Sequence, residues 1–117
     1  MIRRSRRYPG ILLEKTTDEE LAMLLDQVDS FPSLFLHEPM LSAESWKRLA
    51  NLKLNRLTVY WNRSSMTALE TTKHFQNTQI ANLHFTGVPF SHAEELSIDH
   101  ELPCKFVCEP GNVYPFD

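Results

Sequence analysis

Five histidines, two cysteines and an adjacent pair of serines are the residues of this 117-residue chain whose types invite chemistry. Histidines suggest a metal centre, which requires several ring nitrogens to converge on one ion at about 2.1 Å. On the strands assigned below, His37 and His84 stand two strands apart, about 9.6 Å at ordinary strand spacing, and in different rows. His74, His92 and His100 fall on helices or in loops with no matching ligand pair, so no metal is expected. Cys104 and Cys108 lie four apart in an extended segment, with Cα atoms about 13 Å apart and beyond disulfide reach. They read as small buried hydrophobes and not as reactive thiols. Ser64 and Ser65 follow a strand and open a helix, together with Asn62 and Arg63, where backbone N–H groups could hold an anion or a serine could accept a phosphate. Without glycines this turn is poorly suited to wrapping phosphate, and helix capping is the simpler reading. Nucleophile-elbow, Walker and dinucleotide-binding patterns are all absent. The chain therefore reads as a non-enzyme without cofactors.

These residues are positioned by a short element that recurs. Apolar residues two apart, the mark of one strand face, occur as Ile11 and Leu13, Leu34 and Leu36, Leu57 and Val59, Leu83 and Phe85, and Cys104 and Phe106. Their first members are separated by 23, 23, 26 and 21 residues. Between them lie segments that begin with a hydroxyl residue and continue at helical spacing. Thr17 with Glu20 and Ser91 with Glu94 have capping-box spacing, and Ser42 and Ser65 open the other two helices. Leu21, Trp46, Leu69 and Leu96 are the expected inward residues of the four helices. Connections of this length suit parallel crossovers. His37, Arg56, Thr58, Tyr60, Asn82, His84, Thr86 and Lys105 alternate with the apolar pairs, which implies one buried and one wet sheet face.

Composition sets the outer limits. The length suits one domain, with residues 1–10 as a basic tail and 11–117 as the folded unit. Net charge is −3, but Arg3, Arg4, Arg6 and Arg7 concentrate four of the 12 basic residues. Eight basic against 15 acidic residues remain in the body, a net charge of −7. An acidic body repels phosphate backbones, so no nucleic-acid partner is expected. No apolar run approaches the roughly 20 residues of a membrane span, and none resembles a secretory signal. Two unpaired cysteines suit the cytoplasm. The C-terminal segment from about 109 to 117, with Pro110, Gly111 and Pro115, cannot continue the repeat and is expected to cover the last strand. If the strand beginning at Ile11 is left uncovered, its edge offers a route to a homodimer.

The chain resembles the leucine-rich-repeat superfamily, in the variety whose units carry a helix on the convex side. Ile11 to Leu21, ILLEKTTDEEL, is similar to the pattern of alternating aliphatics, threonine, and a Thr-Asp opening the helix. Leu49 to Asn62, LANLKLNRLTVYWN, is similar to the core signature, with Leu57, Val59 and Asn62 at the leucine, leucine and asparagine positions. Pro39, Val88 and Glu109 stand where other units would carry that asparagine. The resemblance implies an α/β fold, a short solenoid with about five parallel strands and four helices on one face.

It also implies a protein partner held on the concave sheet. The candidate surface is Phe35, His37, Thr58, Tyr60, His84, Thr86 and Lys105, a mixture of rigid aromatics and hydrogen-bonding groups of the kind that grips proteins. Counting from each strand's first inward residue, Lys105 falls in the row of Leu12, Phe35, Thr58 and His84, and Val107 in the row of Glu14, His37, Tyr60 and Thr86. A second reading is a small regulatory domain similar to anti-sigma-factor antagonists, with Ser64 or Ser65 as phosphoacceptor.

Overall fold

Alternating aliphatics bury one side of a strand only if neighbouring strands hold them in register, and the computed structural model shows that they do. It describes the backbone of residues 2–4, 10–27, 32–61 and 65–109, and the side chains of these except 2–4, 65 and 66. In chain order the elements are β1 (Ile2–Arg4), β2 (Ile11–Glu14), α1 (Asp18–Gln27), β3 (Ser33–His37), α2 (Ala43–Ala50), β4 (Arg56–Tyr60), α3 (Ser65–Thr72), a 3₁₀ turn (Lys73–Phe75), β5 (Asn82–Thr86), α4 (His92–Glu101) and β6 (Lys105–Glu109). The strands form one sheet in sequence order, with β2 to β6 parallel. The α/β class, the five parallel strands and the four helices are as the sequence predicts.

The apolar pairs lie side by side: Leu13 beside Leu36, Leu36 beside Val59, Val59 beside Phe85 and Phe85 beside Cys108. They share a single core with Leu21, Leu24 and Leu25 of α1, Trp46, Leu49 and Ala50 of α2, Ala68 of α3, Phe75 of the 3₁₀ turn, and Ile98 of α4. All four helices thus bury their apolar sides against the same sheet face. Each leucine removed from water here contributes about 1.5–3 kcal/mol. An aromatic chain runs through this layer, with ring centroids 5.4 Å apart for Trp46–Trp61, 5.2 Å for Trp61–Phe85 and 5.3 Å for Phe85–Phe106. Both tryptophans are core residues, as their spacing predicts.

The repeat is also written in the backbone. After each of four strands the next residue donates its N–H to the last carbonyl of the following strand: Lys15 to His37 at 2.8 Å, Glu38 to Tyr60 at 3.0 Å, Trp61 to Thr86 at 3.0 Å and Gly87 to Glu109 at 2.9 Å. Three of these four residues are left-handed, with φ of 49° at Lys15, 50° at Glu38 and 76° at Gly87. Ser91 and Glu94 form the expected reciprocal capping box. At Thr17 the hydroxyl accepts the Glu20 N–H at 3.4 Å and lies 3.3 Å from the Glu20 carboxylate, to which it donates.

Several expectations require correction. Leu69 and Leu96 are exposed, and the buried positions are Ala68 and Ile98. Ser65, the expected cap, is itself the first residue of α3, so the helix begins one position earlier than expected, and a shift of one residue turns the helix by about 100°. The last strand is set two residues along from its expected row: Phe106, not Cys104, lies beside Leu83. Ile2–Arg4, expected within a solvated tail, pairs antiparallel with β2 and covers its edge, so the condition for dimer formation through that edge is not met. Glu109, expected to begin the C-terminal cover, is the last residue of β6, and 110–117 lie outside the described residues.

The second sheet face is not uniformly wet either. Leu12 is 0% exposed, Phe35 6%, Thr58 8%, His84 6% and Thr86 0%. Leu12 and Phe35, adjacent across β2 and β3, form a separate apolar cluster against which Tyr60 packs. The physical reason lies in the strands themselves: Ile11-Leu12-Leu13 and Leu34-Phe35-Leu36 are uninterrupted apolar runs, the pattern of strands buried on both sides.

Candidate functional site

The row positions of the second face are fixed by strand pairing, since residues of one parity point the same way. Along the carboxyl ends of the strands run Glu14, His37, Tyr60, Thr86 and Glu109. His37 and Tyr60 are stacked, with ring centroids 4.8 Å apart and planes within 9° of parallel. Both are half-buried, and Tyr60 also rests on the Leu12–Phe35 cluster. A stacked, half-buried aromatic pair of which one ring rests on an apolar cluster is a rigid surface element.

The second assembly crosses β4, β5 and β6. The Arg56 guanidinium lies within hydrogen-bond distance of His84 Nδ1, and Glu109 Oε1 lies 3.3 Å from His84 Nε2. Arginine can only donate, so Nδ1 must accept and the proton of the neutral ring must sit on Nε2. That N–H makes no hydrogen bond, because the Glu109 carboxylate is near enough for charge attraction but out of line. Burial, and then the Arg56 charge, hold His84 below the ordinary histidine value, with Glu109 pulling in the opposite direction. The Thr86 hydroxyl, two residues along β5 and fully buried, likewise makes no hydrogen bond.

The seven residues named from sequence are therefore not one surface. Phe35, Thr58, His84 and Thr86 are buried, and His37 with Tyr60 forms one half-exposed pair. Lys105 is exposed but pairs with Asn82 at the opposite end of the strands, and not with His84. Sequence reasoning missed Arg56 and Glu109 as partners of His84. Arg56 was visible as an outward residue of its strand, whereas Glu109 reaches the site only through the two-residue shift of β6.

Cys104 is buried, and desolvation raises its pKa; Cys108 is held at about 11 by the same cause, and its thiol lies 3.5 Å from the Val88 carbonyl. In both, burial opposes the thiolate that nucleophilic chemistry needs. Ser64 lies outside the described residues, and so does the side chain of Ser65. Among the described residues no group of three or more histidines, cysteines or carboxylates could hold a metal ion, and no helix is long and apolar enough to cross a membrane.

A groove of about 610 Å³ between α1 and α2 is lined by Asp18, Ser45, Arg48 and Asn51 among others. Asp18 is occupied there with the next unit: its Oδ1 accepts the Ser45 hydroxyl at 2.6 Å and the Ser42 backbone N–H at 2.9 Å. The Ser45 hydroxyl first, and then the Ser42 N–H, lower the Asp18 pKa. This is a cap supplied to α2 from the preceding helix. The chain matches no protein-family model, no curated protein and no solved structure.

Proposed function

We propose that this protein is a non-enzymatic interaction module with the winding of a short leucine-rich-repeat-like solenoid. It takes a protein partner at the carboxyl end of its second sheet face. The observation that carries this reading is the His37–Tyr60 stack, half-exposed over the Leu12–Phe35 cluster. Aromatic side chains held rigid before binding lose little conformational freedom on contact, and such residues dominate binding energy at protein interfaces. The contact surface is narrower than the full row of outward residues, because Phe35, Thr58, His84 and Thr86 are buried. We place the module in the cytoplasm, where its two free thiols stay reduced.

The test is affinity capture from extract of the source organism with wild type, His37→Ala, Tyr60→Ala and Lys105→Ala, each checked for an intact thermal transition. A partner recovered by wild type and Lys105→Ala but lost with His37→Ala and Tyr60→Ala is the expected result. Equal recovery by all four proteins overturns the assignment of the surface.

A further inference from the structure

Two of the polar atoms that the fold buries without a partner lie on one short stretch of the second sheet face. His84 and Thr86 share one parity of β5 and point the same way, about 6.6 Å apart along the strand. Both are more than nine-tenths buried, and His84 Nε2 and Thr86 Oγ1 are each closed to solvent and make no hydrogen bond. Glu109 stands directly across from Thr86 on β6, and its carboxylate reaches to 3.3 Å from His84 Nε2. Three polar groups from two strands therefore gather at one corner of the sheet. Glu109 keeps 43% of its side chain exposed there, so this corner has a side that can yield.

The chemistry of the three groups selects what can sit among them. Nε2 carries the ring proton and only donates, because Nδ1 faces Arg56; the carboxylate only accepts; the threonine hydroxyl does either. A metal ion needs a lone pair on Nε2, an anion would face the Glu109 charge, and an ammonium group has no lone pair to take the Nε2–H. A neutral oxygen with both a lone pair and a proton answers all three. Water is the smallest such molecule, and buried waters make about three hydrogen bonds to groups that the protein leaves unpaired. One oxygen bonded at about 2.9 Å to two atoms spans up to about 5.8 Å, which fits side chains two residues apart on a strand. We propose that His84, Thr86 and Glu109 hold one internal water molecule, which accepts the Nε2–H, donates to the Glu109 carboxylate and shares a hydrogen bond with the Thr86 hydroxyl. It ties β5 to β6 through side chains, beside the backbone ladder that already joins them. The site does not rest on the partner surface at His37 and Tyr60.

A crystal structure of the full chain that resolves ordered waters tests this, together with urea midpoints of wild type and Thr86→Val. Valine keeps the branched shape of threonine and removes only the hydroxyl. The expected result is one water oxygen within about 3.2 Å of both His84 Nε2 and Thr86 Oγ1, and a lower midpoint for Thr86→Val, since the water loses a partner. Glu109 bonded directly to Nε2 with no oxygen between them overturns the site, and so does an ion in that place. A Thr86→Val midpoint equal to or above that of wild type also overturns it, because a hydroxyl buried without any partner is a cost that valine removes.

Discussion

Lys15 and Glu38 occupy the same place in consecutive units, each left-handed with φ near 50° and each donating its backbone N–H to the strand that follows. A residue with a Cβ costs about 1–2 kcal/mol in this conformation, whereas glycine takes it freely but loses more entropy on folding. Lys15→Gly and Glu38→Gly are each expected to stabilise the fold by about 0.5–1 kcal/mol. Gly87→Ala, at φ 76°, is expected to destabilise it by about 1–2 kcal/mol. Urea midpoints of the three variants check the signs, and a stabilised Gly87→Ala would contradict the shared geometry.

A close approach holds the entry to β2. A Cβ on Gly10 would meet the Ser33 carbonyl oxygen at 2.6 Å and the Ser33 Cβ at 2.9 Å. Gly10→Ala is expected to cost about 1–3 kcal/mol, as overpacking does. Because the nearer obstacle is backbone, adding Ser33→Gly should not restore the melting temperature. Full restoration by the double variant would show that the side chain alone was in the way.

The second face makes opposite predictions for residues of one sequence pattern. Phe35→Ala is expected to cost about 3–5 kcal/mol and Leu12→Ala about 2–5 kcal/mol, since both side chains are buried. Lys105→Ala, at an exposed position, should fall within about 0.5 kcal/mol of wild type. Denaturant titration separates these values well, and a neutral Phe35→Ala would mean that this face is open.

Stability should fall on acidification in two separate windows. The His84 pKa is lowered in the folded chain, so below the ordinary value of 6.5 the unfolded chain binds the proton more readily. The His84 contribution is therefore complete above pH 6.5 and is lost as pH falls toward the folded value. Asp18 acts later: its carboxyl lies below the ordinary 3.8, and its contribution is lost as pH falls from that value through the folded one. Urea midpoints measured across the acid range should show a shallower first decline in His84→Gln and a shallower second decline in Asp18→Asn. A first decline unchanged in His84→Gln would assign it to other groups.

Helix starts differ in how they are served. Ser91 supplies its own box, so Ser91→Ala should cost about 1 kcal/mol and loosen α4. The hydroxyl of Ser42 makes no cap bond, and the α2 start relies on Asp18 of the preceding unit. Ser42→Ala should therefore cost less than Ser91→Ala. A reversed order in thermal unfolding would mean that the two caps are misassigned.

The sequence by itself determined the strand faces, the parallel order and the repeat. Side-chain alternation and crossover length are local properties, and Leu34, Leu57 and Leu83 carry them without reference to the rest of the chain. It also determined the burial of Trp46 and Trp61 and the capping box at Ser91. Only the tertiary structure decided register and cover. Cys104 and Phe106 are both inward, so parity could not tell which of them faces Leu83; hydrogen bonding to β5 chose Phe106 and with it brought Glu109 to His84. The left-handed turns at Lys15 and Glu38 and the burial of Thr58 and Thr86 belong to the same class. Each depends on what a neighbouring strand places alongside, and a pattern of period two is unchanged when a strand slides by two residues.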